Sequence, residues 1–106
     1  MVFELYDVSY LVKNKTSYPY YNLYFKIDFR NESALVSDKL HEVILFNKKT
    51  GEPYGKGLSG IMEHEFIAFK KQKLTKGKHS ITLKQYMRVQ NLRDIMAVGI
   101  KIVKAE

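Results

Sequence analysis

The chain of 106 residues contains no cysteine and no tryptophan. It has only two prolines, Pro19 and Pro53. The missing cysteines exclude a disulfide framework, a thiolate zinc site and a cysteine nucleophile together. They leave the compartment open, because exported domains also occur without cysteine. No apolar run approaches the roughly 18 residues that a membrane-spanning helix needs. Met1 leads directly into Val2-Phe3-Glu4 with no basic segment before an apolar stretch, so no signal peptide is visible. The expectation is a cytoplasmic protein or a mature fragment whose export signal has been removed.

Acidic residues are also missing over a long stretch. Between Phe66 and Arg93 there is no Asp or Glu, but there are eight cations: Lys70, Lys71, Lys73, Lys76, Lys78, Lys84, Arg88 and Arg93. The rest of the chain sets ten cations against eleven acids, so this one stretch carries the whole formal charge of +7. It predicts a basic patch, with Lys70, Lys71, Lys73, Lys76 and Lys78 as its densest part. Hydrophobic residues make up 45% of the chain, enough for one domain, 1–106, with a core of its own.

What is present reads at period two. Tyr6, Val8, Tyr10 and Val12 alternate with Asp7, Ser9 and Lys13, with Leu11 as the exception, and Tyr21, Leu23, Phe25, Ile27 and Phe29 alternate with Asn22, Lys26 and Asp28. Ile81 and Leu83, with Met87 continuing their face, and then Val98, Ile100 and Ile102, repeat the pattern of half-buried strands. Val43 to Phe46 and Phe66 to Phe69 are short unbroken apolar runs, expected to be strands covered on both faces. Between them lie turn signals: Asn14-Lys15-Thr16-Ser17, Asn31-Glu32-Ser33, and Lys48 to Pro53 with its Gly-Glu-Pro. Thr75-Lys76-Gly77-Lys78 reads as a hairpin tip, and Val89 to Asp94 as a loop or a single helical turn. The expected fold is all-β, an antiparallel sandwich (jelly-roll-like) of six to eight strands, with a barrel as the alternative.

Catalytic patterns are lacking as well. Ser59-Gly60 has none of the flanking residues of a nucleophile elbow, and Gly55, Gly57 and Gly60 match no phosphate loop. Glu63-His64-Glu65 resembles a ligand cluster only on paper. On a strand, the two glutamates face one way and the histidine the other, so no metal and no cofactor is expected. The basic patch would keep strands soluble at a hairpin tip, contact a polyanion or membrane surface, or, on a barrel with exposed aromatics, bind single-stranded nucleic acid.

The densest aromatic stretch is "SYPYYNLYF", residues 17 to 25. Pro19 holds Tyr18 extended and fits the first position of a strand. Period two then sends Tyr21, Leu23 and Phe25 to the core and Tyr20, Asn22 and Tyr24 to the other face. The candidate binding residues are therefore Tyr18, Tyr20, Asn22 and Tyr24, suited to a sugar or a peptide.

Three pieces together carry a resemblance: "SYPYYNLYF", "GEPYGKGLSGI" and "ITLKQYMRVQNLRDIMAVGIKI", in that order and spacing. The region from about Tyr6 to Val103 resembles the gliding-motility-associated lipoprotein H family of Bacteroidetes cell envelopes. The resemblance implies an exported, non-enzymatic domain tethered by a lipidated cysteine near its N-terminus, facing the periplasm. It also implies envelope protein partners in a motility or secretion assembly, and no catalytic residues. The matching positions are Tyr18, Pro19, Tyr20, Asn22 and Leu23, then Gly55 and Gly57, then Gln85, Met87 and Arg88, and finally Leu92, Ile95 and Gly99. The three glycines read as backbone requirements, and Leu23, Met87 and Ile95 as core. Arg88 points outward at a strand end, either to pair with Asp94 or a carbonyl, or to offer a cation to a partner. The alternatives to a protein-binding envelope domain are a carbohydrate- or peptidoglycan-binding module using the outward tyrosines, and a basic nucleic-acid-binding barrel.

Overall fold

The computed structural model describes residues 3–31, 35–75 and 77–105. Seven strands follow one another: β1 (Phe3–Lys15), β2 (Asn22–Asn31), β3 (Leu35–Ile44), β4 (Lys56–Leu58), β5 (Ile61–Thr75), β6 (His79–Gln85) and β7 (Ile95–Lys104). They form two antiparallel sheets, one of four strands in the order β4-β5-β1-β7 and one of three in the order β3-β2-β6. The sheets do not close into a barrel; the architecture is a β-sandwich. The barrel expected as an alternative is thereby corrected, and the nucleic-acid reading loses the scaffold it was built on.

Period two does its work in β1 and β2. Val8, Tyr10, Val12 and Asn14 of β1 are buried, as are Leu23, Phe25, Ile27 and Phe29 of β2. These rows face each other across the sandwich, with the Tyr10 and Phe25 rings edge to face at 4.5 Å. Each buried apolar side chain of these rows contributes roughly 1.5–3 kcal/mol through loss of apolar surface from water. Tyr18, Val43, Leu45 and Phe46 close the core at the end where β2 begins.

Several expected boundaries move. The strand placed at Val43 to Phe46 is in fact β3, which starts at Leu35 and stops at Ile44. Leu45 and Phe46 lie beyond it, their N–H groups donating to the Tyr21 carbonyl at 2.8 and 3.1 Å. Thr75 to Lys78 is not a hairpin tip. β5 belongs to one sheet and β6 to the other, so the two are not hairpin partners. A two-residue turn does occur between β4 and β5, at Ser59 (φ 58°) and Gly60 (φ 80°). Positive φ at both positions is what a tight hairpin needs to match strand twist.

Gly55 and Gly57 are backbone requirements, as expected. A Cβ on Gly57 would overlap the Ile61 carbonyl, and one on Gly55 (φ 86°) would lie 2.8 Å from the His64 ring. Gly99 is different. Its φ is ordinary and a Cβ there would only touch Leu11 at 3.9 Å. In the middle of β5 an extra residue bulges between the partners of Tyr6 and Val8. Lys71 takes φ 52° there, and its N–H donates to the Asp7 carboxylate at 3.0 Å.

Candidate functional site: an aromatic groove on the three-stranded sheet

The outer face of the β3-β2-β6 sheet carries a groove of about 480 Å³ lined by Tyr20, Tyr24, Leu40, Tyr86, Met87 and Arg88. Four of these are large exposed apolar or aromatic residues: Tyr20, Tyr24, Leu40 and Tyr86. Tyr24 comes from β2, Leu40 from β3, and Tyr86 to Arg88 from the chain leaving β6.

The wall formed by residues 86–88 is built by one side chain. The Gln85 amide accepts from the Met87 N–H at 2.8 Å and donates to the Val89 carbonyl at 2.8 Å. This clamp bends the chain after the last ladder pair, Phe25 with Gln85. The Tyr86 N–H then donates to the Tyr24 carbonyl at 2.8 Å, and the Tyr24 N–H reaches the Met87 sulfur at 3.3 Å. Met87 therefore packs against the core and also lines the groove.

The opposite wall rests on the aromatic stretch at the head of β2. Tyr18, proposed from sequence as a surface residue, is instead 5% exposed. Its hydroxyl donates to the Asn22 carbonyl at 2.8 Å, and burial pushes its pKa up to about 12. The Tyr18 ring stacks with Phe46 at 6.5 Å and meets Tyr20 edge-on at 5.6 Å. Tyr18 thus supports Tyr20 and has no face of its own to offer. Asn22 is buried too, its amide donating to Glu42 Oε2 at 2.7 Å. A hydrogen bond to the same Glu42 raises the pKa of Tyr24. Glu42 in β3 therefore holds two neighbouring β2 residues in place.

Arg88 makes no ion pair among the described residues. The expected partner Asp94 is engaged elsewhere: its carboxylate accepts from the Ser17 hydroxyl at 2.9 Å and its carbonyl from the Lys15 N–H at 2.9 Å. Nearby, Lys26 pairs with Asp38 at 3.1 Å, and that bond, reinforced by the Asp38 charge, raises the lysine pKa.

Lys70, Lys71, Lys73 and Lys78 are exposed, but not at the groove. Lys78 precedes the first residue of β6, whereas the groove adjoins its last, and the other three lie on the four-stranded sheet. Lys76 falls outside the described residues. Glu63 and Glu65 face outward beside Lys13 (3.9 Å) and Lys101 (3.5 Å), while His64 is buried with Nε2 2.8 Å from Asn14 Oδ1. Burial lowers the His64 pKa. A larger hollow of about 610 Å³ lies over this outer face, beside Leu11, Ala97 and Gly99. Its carboxylates already have lysine partners, so it offers less unused polar chemistry than the smaller groove.

Residues 3–102 match the GldH lipoprotein family. The chain belongs to that family. Neither a curated protein nor a solved structure gives a match. Membership makes this a gliding-motility-associated envelope lipoprotein, anchored to a membrane. The matched span includes every residue of the groove.

Of the binding candidates read from sequence, the groove unites Tyr20, Tyr24 and Arg88 and leaves Tyr18 and Asn22 beneath it. Leu40, Tyr86 and Met87 join them. Tyr86 was legible in principle, because Ile81 and Leu83 fix the inward parity of β6 and residue 86 falls on the outward one. Leu40 had no such signal, since Leu35 to Glu42 mixes charged and apolar residues without a period.

Proposed function

We propose that this GldH-family domain is a non-enzymatic, periplasm-facing binding module. It docks a protein partner of a motility or secretion-associated assembly in the groove formed by Tyr20, Tyr24, Leu40, Tyr86, Met87 and Arg88. The observation that carries this reading is an arginine that, among the described residues, has no carboxylate partner and lies with three exposed tyrosines. Tyrosine and arginine are the residue types that dominate binding energy at protein interfaces, because each combines a large contact area with directional polar groups. The pKa values of Tyr24 and Lys26 both move upward, away from neutrality, which argues against proton transfer by these two groups.

The test compares partner capture by the membrane-anchored protein and by its Arg88→Ala and Tyr24→Ala variants, using quantitative cross-linking in envelope preparations. The expected result is at least a tenfold loss of one specific envelope protein with each variant, at unchanged thermal stability. Equal capture by all three forms removes the groove from the function. The three tyrosines also suit a sugar ring, and binding on a glycan array that Tyr20→Ala abolishes would favour the carbohydrate reading instead.

A further inference from the structure

We propose that β7 is a self-association edge, and that two copies of this chain pair β7 to β7, antiparallel about a two-fold axis through Ile100. The four-stranded sheet would become one sheet of eight strands. This surface is separate from the groove.

The inference begins at a sheet edge. β7 is bonded to β1 on one side, and no strand pairs with its other side among the described residues. Its inward row, Val98, Ile100 and Ile102, sits opposite Val12, Tyr10 and Val8. Those three β1 residues are at most 2% exposed, yet Val98 is 51% and Ile102 45% exposed. Ile100 packs against the core, but Val98 and Ile102 on either side of it have core chemistry without core cover.

The edge also lacks the usual protection. Natural sheets blunt their free edges with charge, proline or short strands. β4, the other edge of this sheet, has three residues. The edges of the second sheet carry Asp38, Lys39 and Glu42 on β3, and His79 and Lys84 on β6. β7 has ten residues, no proline, and no charge from Ile95 to Ile100. It is the strand of this fold most open to addition of another strand.

The sequence of β7 fits a second copy of itself. With the axis at Ile100, Val98 faces Ile102 of the second copy, and Ala97 faces Val103. Lys101 faces Gly99 of the second copy, where no side chain competes for space. Lys101 thereby keeps its own Glu65, 3.5 Å away. An axis at Lys101 would oppose two lysines and is excluded by repulsion. A two-fold pairing of this kind closes on itself and does not propagate into fibres. Such an edge buries less than about 1,200 Å², so dissociation in the micromolar range is expected.

Sedimentation velocity of the chain, from micromolar to near-millimolar concentration, tests the pairing. A concentration-dependent monomer–dimer equilibrium is expected. Val98→Lys should leave a monomer throughout, with the circular dichroism of the parent, and Leu58→Lys on β4 should change nothing. Because the chain has no cysteine, a single new thiol reports on contact between copies alone. Under mild oxidation Ile100→Cys should give a disulfide-linked dimer and Gly99→Cys should not. A parent chain that stays monomeric, or a dimer that survives Val98→Lys, overturns the proposal. Cross-linking through Gly99→Cys in place of Ile100→Cys overturns the register.

Discussion

On the outer face of the four-stranded sheet, Lys13 and Lys101 each lie beside a glutamate of β5, at 3.9 and 3.5 Å. On the outer face of the three-stranded sheet, Arg88 lies among tyrosines and has no carboxylate partner among the described residues. Both faces carry cations and both are hollowed, yet they differ in what is already satisfied. The first spends its charges on neighbours within the sheet. The second keeps a cation and three ring surfaces available, and this difference separates a solvated face from a candidate interface.

Behind each face sits a buried asparagine, and the pair gives a way to break the comparison. Asn14 is fully buried, with its Oδ1 on His64 and its amide donating to the Lys15 carbonyl at 3.0 Å. Asn14→Ala leaves His64 buried and unpaired and should cost about 3 kcal/mol, measured by urea denaturation. Asn22→Ala releases only a partly buried bond to Glu42 and should cost about 1 kcal/mol. It should still weaken partner capture, because Glu42 positions Tyr24. An equal stability loss at both sites would erase the distinction between a structural and a site-supporting asparagine.

The next effect is acid sensitivity. Burial lowers the pKa of His64, and burial together with Lys39 lowers that of His41, from an ordinary value of 6.5. The unfolded chain therefore binds more protons than the native one below about pH 6.5, and native stability falls as pH drops through that range. Denaturation midpoints should be flat between about pH 7 and pH 9, below the range where tyrosines ionise, and decline toward pH 5. His64→Gln should flatten the decline if the four-stranded sheet is its main source. A profile unchanged by His64→Gln would assign the effect to His41 in the other sheet.

The smallest effect sharpens the first contrast. Glu65→Gln removes the partner of Lys101 on an exposed face and should cost about 0.2–1 kcal/mol, less in high salt. Partner capture should not change. Loss of capture with Glu65→Gln would move the interface to the four-stranded sheet.

Much of this was written along the chain. Period two in residues 6–12 and 21–29 determined two strands and their inward faces, because side chains must alternate across a pleated backbone. The same rule put Tyr20 and Tyr24 outside and split Glu63-His64-Glu65 between two faces. The absence of cysteine and of any catalytic spacing narrowed the chemistry before any fold was known. Other features depended on long-range packing, which no local pattern encodes. Tyr18 looked like a turn residue available to a ligand, but Phe46, twenty-eight positions away, covers its ring. Thr75 to Lys78 had the composition of a hairpin tip, yet which sheet receives β6 depends on where β2 lies. Arg88 was visible from the start. Only the tertiary structure could leave it without an ion pair among the described residues, by giving Asp94 to Ser17 and bringing Tyr20, Tyr24 and Leu40 up around it.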